Sequence, residues 1–196
     1  STSICDVNAI AHPLSWLDDE YGISQVFVTT LHPWLSYQNL VDAPLRSQND
    51  PTHFWGDFSL ARSSVGTLIP KNTTAGSALK YILPDLASKT SAFSYRIPTN
   101  TVTSADMTLR LSDSSFSTAI ISDFLVSMAS RSDYVDINKE PLIGTDYKCN
   151  SHSCVIDLQW LSLVDDILKL VVWYDNEWAY ACRVVDSARY IKSFIK

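Results

Sequence analysis

The sequence is poor in charge. Charged side chains make up only 18% of its 196 residues, and the formal net charge is −6. No Lys or Arg cluster stands anywhere along it. Nucleic-acid binding, which meets phosphates with clustered cations, is therefore not expected. No uninterrupted apolar stretch approaches the about 20 residues that cross a bilayer, so no membrane span is expected. The N-terminus has no basic segment followed by an apolar one, as a signal peptide would. Glycine is scarce: Gly22, Gly56, Gly66, Gly76 and Gly144 are the full set. No G-x-G-x-x-G can be drawn from them, so these residues hold no dinucleotide-cradling turn of that kind. The four cysteines, at 5, 149, 154 and 182, fit neither a zinc nor a CxxC pattern. A disulfide framework is not expected at this length, and the reading is a reduced, cytoplasmic protein. Cys149, His152 and Cys154 lie close in sequence, but three residues at that spacing make a poor ligand set. A structural turn is preferred there, and no metal site is expected.

Apolar residues, by contrast, are abundant at 46%, with six Trp, nine Tyr and seven Phe. That is enough for one real core. A helical stripe of Ala9, Ile10, Leu14 and Leu17 runs from Asp6 to Glu20, with a bend or late start expected at Pro13. Val26–Leu31 reads as a buried strand. Residues 33–66, with Pro33, Pro44, Pro51 and Gly56 among aromatics, form a long structured excursion. Asn72–Leu83 reads as a helix stopped by Pro84. Strands are expected at Ala92–Ile97 and Val102–Leu111, the second alternating Met107, Leu109 and Leu111 with Thr108, Arg110 and Ser112. The clearest helix is Ser115–Arg131, with Phe116, Ile120, Ile121, Phe124, Leu125 and Met128 on one stripe. Val155–Trp160 and Ile167–Tyr174 read as strands, and 177–196 as a closing helix bearing Val184, Val185, Ala188, Ile191 and Ile195. Helices among mostly alternating strands, without regular βαβ units, predict an α+β fold. Its sheet is mixed and largely antiparallel, with helices on one face.

Two residues are candidates to carry chemistry. Cys5 stands in the first turn of a predicted helix, where backbone N–H groups and the helix dipole favour a thiolate and should lower its pKa. His32 closes the apolar strand VFVTTLH, where it can project past the sheet edge. An imidazole beside a thiolate forms an ion pair with it and shuttles protons. By position alone, the inert reading is the commoner one for each residue: Cys5 as a small buried hydrophobe, His32 as a satisfied structural histidine.

Several ordered motifs decide between these readings. STSICDVN is similar to a Ser-x-x-Ser-Cys-Thr-Thr-Asn segment, with Cys5 on the nucleophile and Asn8 on the closing asparagine. VTTLH is similar to Val-Thr-Thr-Val-His, and the Cys5–His32 interval is also the one found between those two motifs. Arg62 precedes LIP as an arginine precedes Ile-Ile-Pro. Tyr95-Arg96-Ile97-Pro98-Thr99 looks like Phe-Arg-Val-Pro-Thr, and Asn176, Glu177 and Tyr180 stand in a Trp-Tyr-Asp-Asn-Glu run. Across essentially its whole length the chain resembles the catalytic domain of the glyceraldehyde-3-phosphate dehydrogenase family, including its erythrose-4-phosphate relatives. The resemblance implies a catalytic domain over 1–176. It implies a C-terminal helix over 177–196 that packs on a nucleotide-binding domain of the Rossmann type, which these residues do not contain. The abrupt start at Ser1 suggests a fragment.

The resemblance also implies roles. Cys5 attacks an aldehyde and gives a thiohemiacetal, then a thioester. His32 is the acid and base. Arg62, Thr73 and Thr74 belong to the attacking-phosphate site and Arg96 to the site for the substrate's own phosphate, since a guanidinium fork meets two phosphate oxygens at once. Asn176 and Tyr180 face a NAD or NADP cofactor held mainly by the other domain. The partners implied are a small phosphorylated aldehyde, inorganic phosphate and further copies of the chain in a dimer or tetramer. Surface ion pairing is the bland alternative for Arg62 and Arg96.

The chain also departs from the pattern. Ile4 and Asp6 flank Cys5, where the family has a hydroxyl residue and a Thr. A carboxylate beside the thiol should raise its pKa. Leu35 and Tyr37 replace a Thr and an Asp that help hold substrate phosphate, and Thr74 replaces a Gly. The 33–61 excursion is lengthened and carries Trp34, Phe54, Trp55 and Phe58, which either make a buried contact with a partner or pack on their own domain. Two further functions therefore stand beside the enzyme: a non-catalytic interaction or regulatory module, and a hydrolase using only the thioester half of the mechanism. Without its covering domain, the stripe Ile191, Phe194 and Ile195 is expected to be unusually exposed, disordered, or docked on another copy.

Overall fold

The computed structural model describes residues 3–47, 50, 52–54, 56–113 and 115–195. Its strands are β1 (Ile23–Pro33), β2 (Ile69–Lys71), β3 (Thr90–Ile97), β4 (Thr103–Leu111), β5 (Val135–Asn138), β6 (Cys154–Val164) and β7 (Ile167–Tyr174). They form one sheet in the order β2-β3-β1-β4-β7-β6-β5. The pairs β1/β3 and β5/β6 are parallel and the rest antiparallel. The helices are α1 (Cys5–Tyr21), α2 (Ala75–Leu79), α3 (Pro84–Ala87), α4 (Thr118–Ala129) and α5 (Trp178–Lys192). The fold is the expected α+β arrangement with an open mixed sheet.

Alternation explains the layering. Along β4, Ala105, Met107, Leu109 and Leu111 are buried, while Asp106, Thr108 and Arg110 are more exposed. The buried set packs under α1, whose Ile10, Leu14 and Leu17 are fully enclosed. α4 adds Ile121 and Leu125 to the same core. Its N-terminus is capped by Ser117, whose Oγ accepts the Ile120 amide at 3.3 Å. The opposite face leaves Phe27 and Phe93 exposed.

Local expectations need correction. Of the bend or late start expected at Pro13, the late start is not found: α1 begins at Cys5 and includes Pro13. Pro13 removes one backbone donor, but it is buried with the apolar stripe on both sides of it, and packing holds the helix across the gap. Residues 72–83 are not one helix. α2 ends at Leu79, and Pro84 opens α3 instead of merely stopping what precedes it. At N1 the missing proline N–H has no helical partner to lose. Short β2 and β5 went unseen because three or four residues hold too little of a period to be read.

The 33–66 excursion carries a small core of its own, in which Leu45 and Leu60 meet Ile69 with Tyr37 and Ala61 alongside. Phe54 and Phe58 remain exposed. Ser1, Thr2, Pro51 and Trp55 lie outside the described residues. On α5 only Ala179 is buried. Ile191, Phe194 and Ile195 are 58%, 69% and 71% exposed. Among the described residues no helix is long and apolar enough to cross a membrane.

Candidate active site

Topology brings the chemistry to one end of the sheet. α1 begins at Cys5, β1 delivers His32, β2 runs out to Thr73, and β7 ends at Tyr174 just before Asn176. The sulfur, a carboxylate oxygen of Asp6 and a ring nitrogen of His32 all lie within 4.8 Å of one another. Cys5 and His32 therefore meet as the sequence implied, but with a third member between them. His32 Nε2 faces Asp6 Oδ1 at 2.8 Å, and the Cys5 thiol points at the same oxygen at 3.5 Å. Tyr174 donates its hydroxyl to Asp6 Oδ1 at 2.9 Å, and Thr73 donates to Asp6 Oδ2 at 3.0 Å. Asp6 is thus the hub of the site.

The second ring nitrogen is held as firmly. His32 Nδ1 lies 3.2 Å from Thr103 Oγ1, and that hydroxyl donates to Asn176 Oδ1 at 3.1 Å. A hydroxyl that gives its one proton to Asn176 must accept from Nδ1. Nε2 meets a carboxylate, which only accepts. Both ring nitrogens are thus held, one against Asp6 and one against Thr103.

Electrostatics follow from this packing. Burial works to raise the Asp6 carboxyl, but the His32 hydrogen bond and charge, with Tyr174 and Thr73, outweigh it and bring it down to about 2. Cys5 goes the other way. Burial first, then the charge and hydrogen bond of Asp6, push its thiol up to about 12. The lowering expected from the helix dipole is overridden, because a half-buried sulfur beside a carboxylate gains more from staying neutral. Burial and the nearby carboxylate likewise hold the Tyr174 phenol well above its usual range.

Arg96 lies on β3 directly across from His32 in the parallel register. It is only 8% exposed. Its Nη1 donates to the Pro33 carbonyl at 3.3 Å and its Nη2 to Tyr37 Oη at 3.4 Å. Its Nε has no partner. None of the ion pairs among the described residues uses it. A buried guanidinium without a carboxylate is costly unless an anion arrives. Lys71 adds a second cation on the same sheet face, opposite Ser94. Its pKa is lowered by burial and then by the Arg96 charge.

Other expected residues stand apart. Arg62 pairs with Asp42 at 2.8 Å within the loop, its side chain 70% exposed, so in this conformation it makes the surface ion pair of its bland reading. Thr74 is an exposed residue leading into α2. Its φ of −87° is open to any residue, so no glycine is demanded there. Tyr180 is half-buried in the first turn of α5. Asp175 anchors that turn, its Oδ1 accepting the Glu177 and Trp178 amides at 3.1 and 2.9 Å. Thr103, Tyr174 and Lys71 were missed by sequence reasoning. The pairing of Thr103 with Tyr174 in the β4/β7 register is a spatial fact that no local pattern carries.

This arrangement gathers a thiol, a carboxylate and an imidazole, with a buried guanidinium one strand away. Residues 4–176 match the family described as "Glyceraldehyde 3-phosphate dehydrogenase, C-terminal domain". The chain belongs to that family. It is 33% identical, over its whole length, to glyceraldehyde-3-phosphate dehydrogenase 2 of Bacillus subtilis, covering 55% of that protein. It is 31% identical over 98% of its length to glyceraldehyde-3-phosphate dehydrogenase B of Aspergillus oryzae, covering 56% of it. It is 32% identical over 96% of its length to the chloroplastic enzyme GAPA1 of Arabidopsis thaliana, covering 46% of it. The chain thus spans about half the length of the curated relatives it matches.

Proposed function

We propose that the chain is the catalytic-domain portion of an NAD(P)-dependent phosphorylating aldehyde dehydrogenase acting through Cys5 and His32. The observation that carries this reading is Arg96, a buried guanidinium without a counter-charge one strand from His32. It suits the phosphate of a small phosphorylated aldehyde, and Lys71 beside it adds charge. Arg62, Thr73 and Thr74 are proposed for inorganic phosphate. Arg62 would have to leave Asp42, an exposed pair worth little to the fold.

The Cys5 thiol passes its proton to His32 Nε2 as Sγ bonds to the aldehyde carbon, and His32 hands that proton to the carbonyl oxygen. As the hydroxyl proton returns to His32, a hydride leaves the same carbon and a thioester remains on Cys5. Phosphate then displaces the Cys5 thiolate, which takes back the proton held by His32. The nicotinamide supplies the hydride acceptor. Asn176 fits its carboxamide: its one described bond uses Oδ1, so the amide N–H groups are left to offer, and Tyr180 stands one helical turn further on. The phosphate-cradling turn for such a cofactor has no counterpart in these residues. For the thiol to react, His32 must let go of Asp6, so the geometry described is a resting one. The exposed sheet face around Phe27 and Phe93 suits pairing of copies into a dimer or tetramer.

The hold of Asp6 on His32 favours a second reading, a family relative that no longer turns over and serves as an interaction or regulatory module. Reduction of NAD+ or NADP+ by the full-length protein, with phosphate and a series of phosphorylated aldehydes, decides between them. Turnover that Cys5→Ala abolishes supports the enzyme. Absence of turnover with every aldehyde, in a folded protein, supports the module.

A further inference from the structure

We propose that Cys5, Asp6 and His32 form a three-ligand site for a divalent transition-metal ion, zinc above all. Neither the dehydrogenase chemistry nor the sequence patterns call for a metal here. The inference needs only the positions of three side chains, and stands whether or not the thiol turns over. Among the described residues this is the one group of three His, Cys or acidic side chains close enough to share an ion.

The spacing fits. Zinc bonds of about 2.3 Å to sulfur and about 2.0–2.2 Å to nitrogen or oxygen, at tetrahedral angles, separate ligand atoms by about 3.3–3.7 Å. Cys5 Sγ and Asp6 Oδ1 already lie 3.5 Å apart. His32 Nε2 and Asp6 Oδ1, at 2.8 Å, need to part by only about half an ångström to reach that range.

The support around the ligands fits as well. A metal-bound imidazole donates its other N–H to a fixed acceptor, which sets the ring's tautomer and plane. Thr103 Oγ1 takes that place at His32 Nδ1, and Asn176 fixes the hydroxyl in turn. The carboxylate of Asp6 is steadied from both sides by Tyr174 and Thr73. Asp6 and His32 are buried, so a divalent ion bound by one carboxylate and one thiolate would leave no net charge there. The donor set of one soft sulfur, one imidazole and one carboxylate favours zinc over magnesium or calcium. With three protein ligands, a fourth position stays open to water or an incoming anion, as in exchangeable zinc sites rather than closed structural ones. An ion so placed would sequester the nucleophile and hold the site inactive until it is removed.

The test uses the full-length protein stripped with a chelator. Zinc titration should give one ion per chain with Kd of about 1 µM or tighter. Cys5→Ser and His32→Gln should each weaken it by more than about tenfold, and Cys149→Ser should leave it unchanged. Cobalt substitution reads the ligands without any variant: the wild-type adduct should show an intense near-ultraviolet thiolate-to-cobalt band, and bound zinc should slow alkylation of Cys5. A cobalt adduct lacking that band overturns the proposal. So does zinc binding that is weaker than about 100 µM or indifferent to both Cys5→Ser and His32→Gln.

Discussion

Asp6→Asn isolates what the carboxylate does to the nucleophile. The thiol of Cys5 is raised from 9.0 to about 12, with burial the largest cause and the charge and hydrogen bond of Asp6 next. A thiol at about 12 is ionised in about one molecule in a hundred thousand at pH 7. Asparagine keeps the shape and an acceptor for Tyr174 but removes the charge. Two unit charges 3.5 Å apart interact by about 4–5 kcal/mol at an effective dielectric of about 20. Part of that is screened, because Cys5 is only half-buried. Burial itself remains after the substitution. The net expectation is a thiol pKa lower by about one unit, and so about tenfold more thiolate at any pH below it. His32, released from its ion pair, can turn toward the sulfur and add to that. The assay is the rate of Cys5 alkylation by iodoacetamide against pH, in chelator-treated protein, with exposed Cys149 as internal standard. Asp6→Asn should shift the Cys5 profile to lower pH and leave that of Cys149 in place. An unchanged Cys5 profile in a folded variant would refute the reasoning, because burial alone would then account for the thiol.

Three further outcomes follow from the same geometry. Arg96→Met should leave thermal stability unchanged or raise it, because an unpaired buried guanidinium is replaced by an apolar side chain of similar reach; binding of phosphorylated aldehydes should be lost, as read by KM and Tm together. The Asp6 carboxyl is depressed to about 2, so its stabilisation is full above its unfolded value near 4 and is lost as pH falls toward 2. Denaturant titrations between pH 5 and 2 should therefore converge for wild type and Asp6→Asn at the acid end. At Gly22, with φ of +66°, an added Cβ would lie 2.7 Å from Ser112 Oγ. Gly22→Ala should cost about 1–2 kcal/mol in urea denaturation, through left-handed backbone strain and that contact.

Much of this molecule could be read from residues in order. The long stripes of α1 and α4 and the alternation of β4 carry enough turns of a period to stand out, and packing only confirmed them. The meeting of Cys5 and His32 was legible because motifs surround both residues. Partnership was not legible. Asp6 read as a neighbour that raises the pKa of the thiol, yet it turns out to be bonded to His32, Tyr174 and Thr73 at once. All three arrive from distant strands or just beyond their ends, and only the fold of the sheet brings them there. Arg62 shows the converse case, a motif residue whose side chain rests on Asp42 rather than in the cluster.

The most direct test of the account is competitive alkylation of Cys5 and Cys149 in the full-length, metal-free protein at neutral pH, followed by mass spectrometry. With Asp6 holding His32 and keeping the thiol neutral, Cys5 should be modified more slowly than exposed Cys149. Faster modification of Cys5 would mean that the imidazole serves the sulfur, and would contradict the central place given to Asp6.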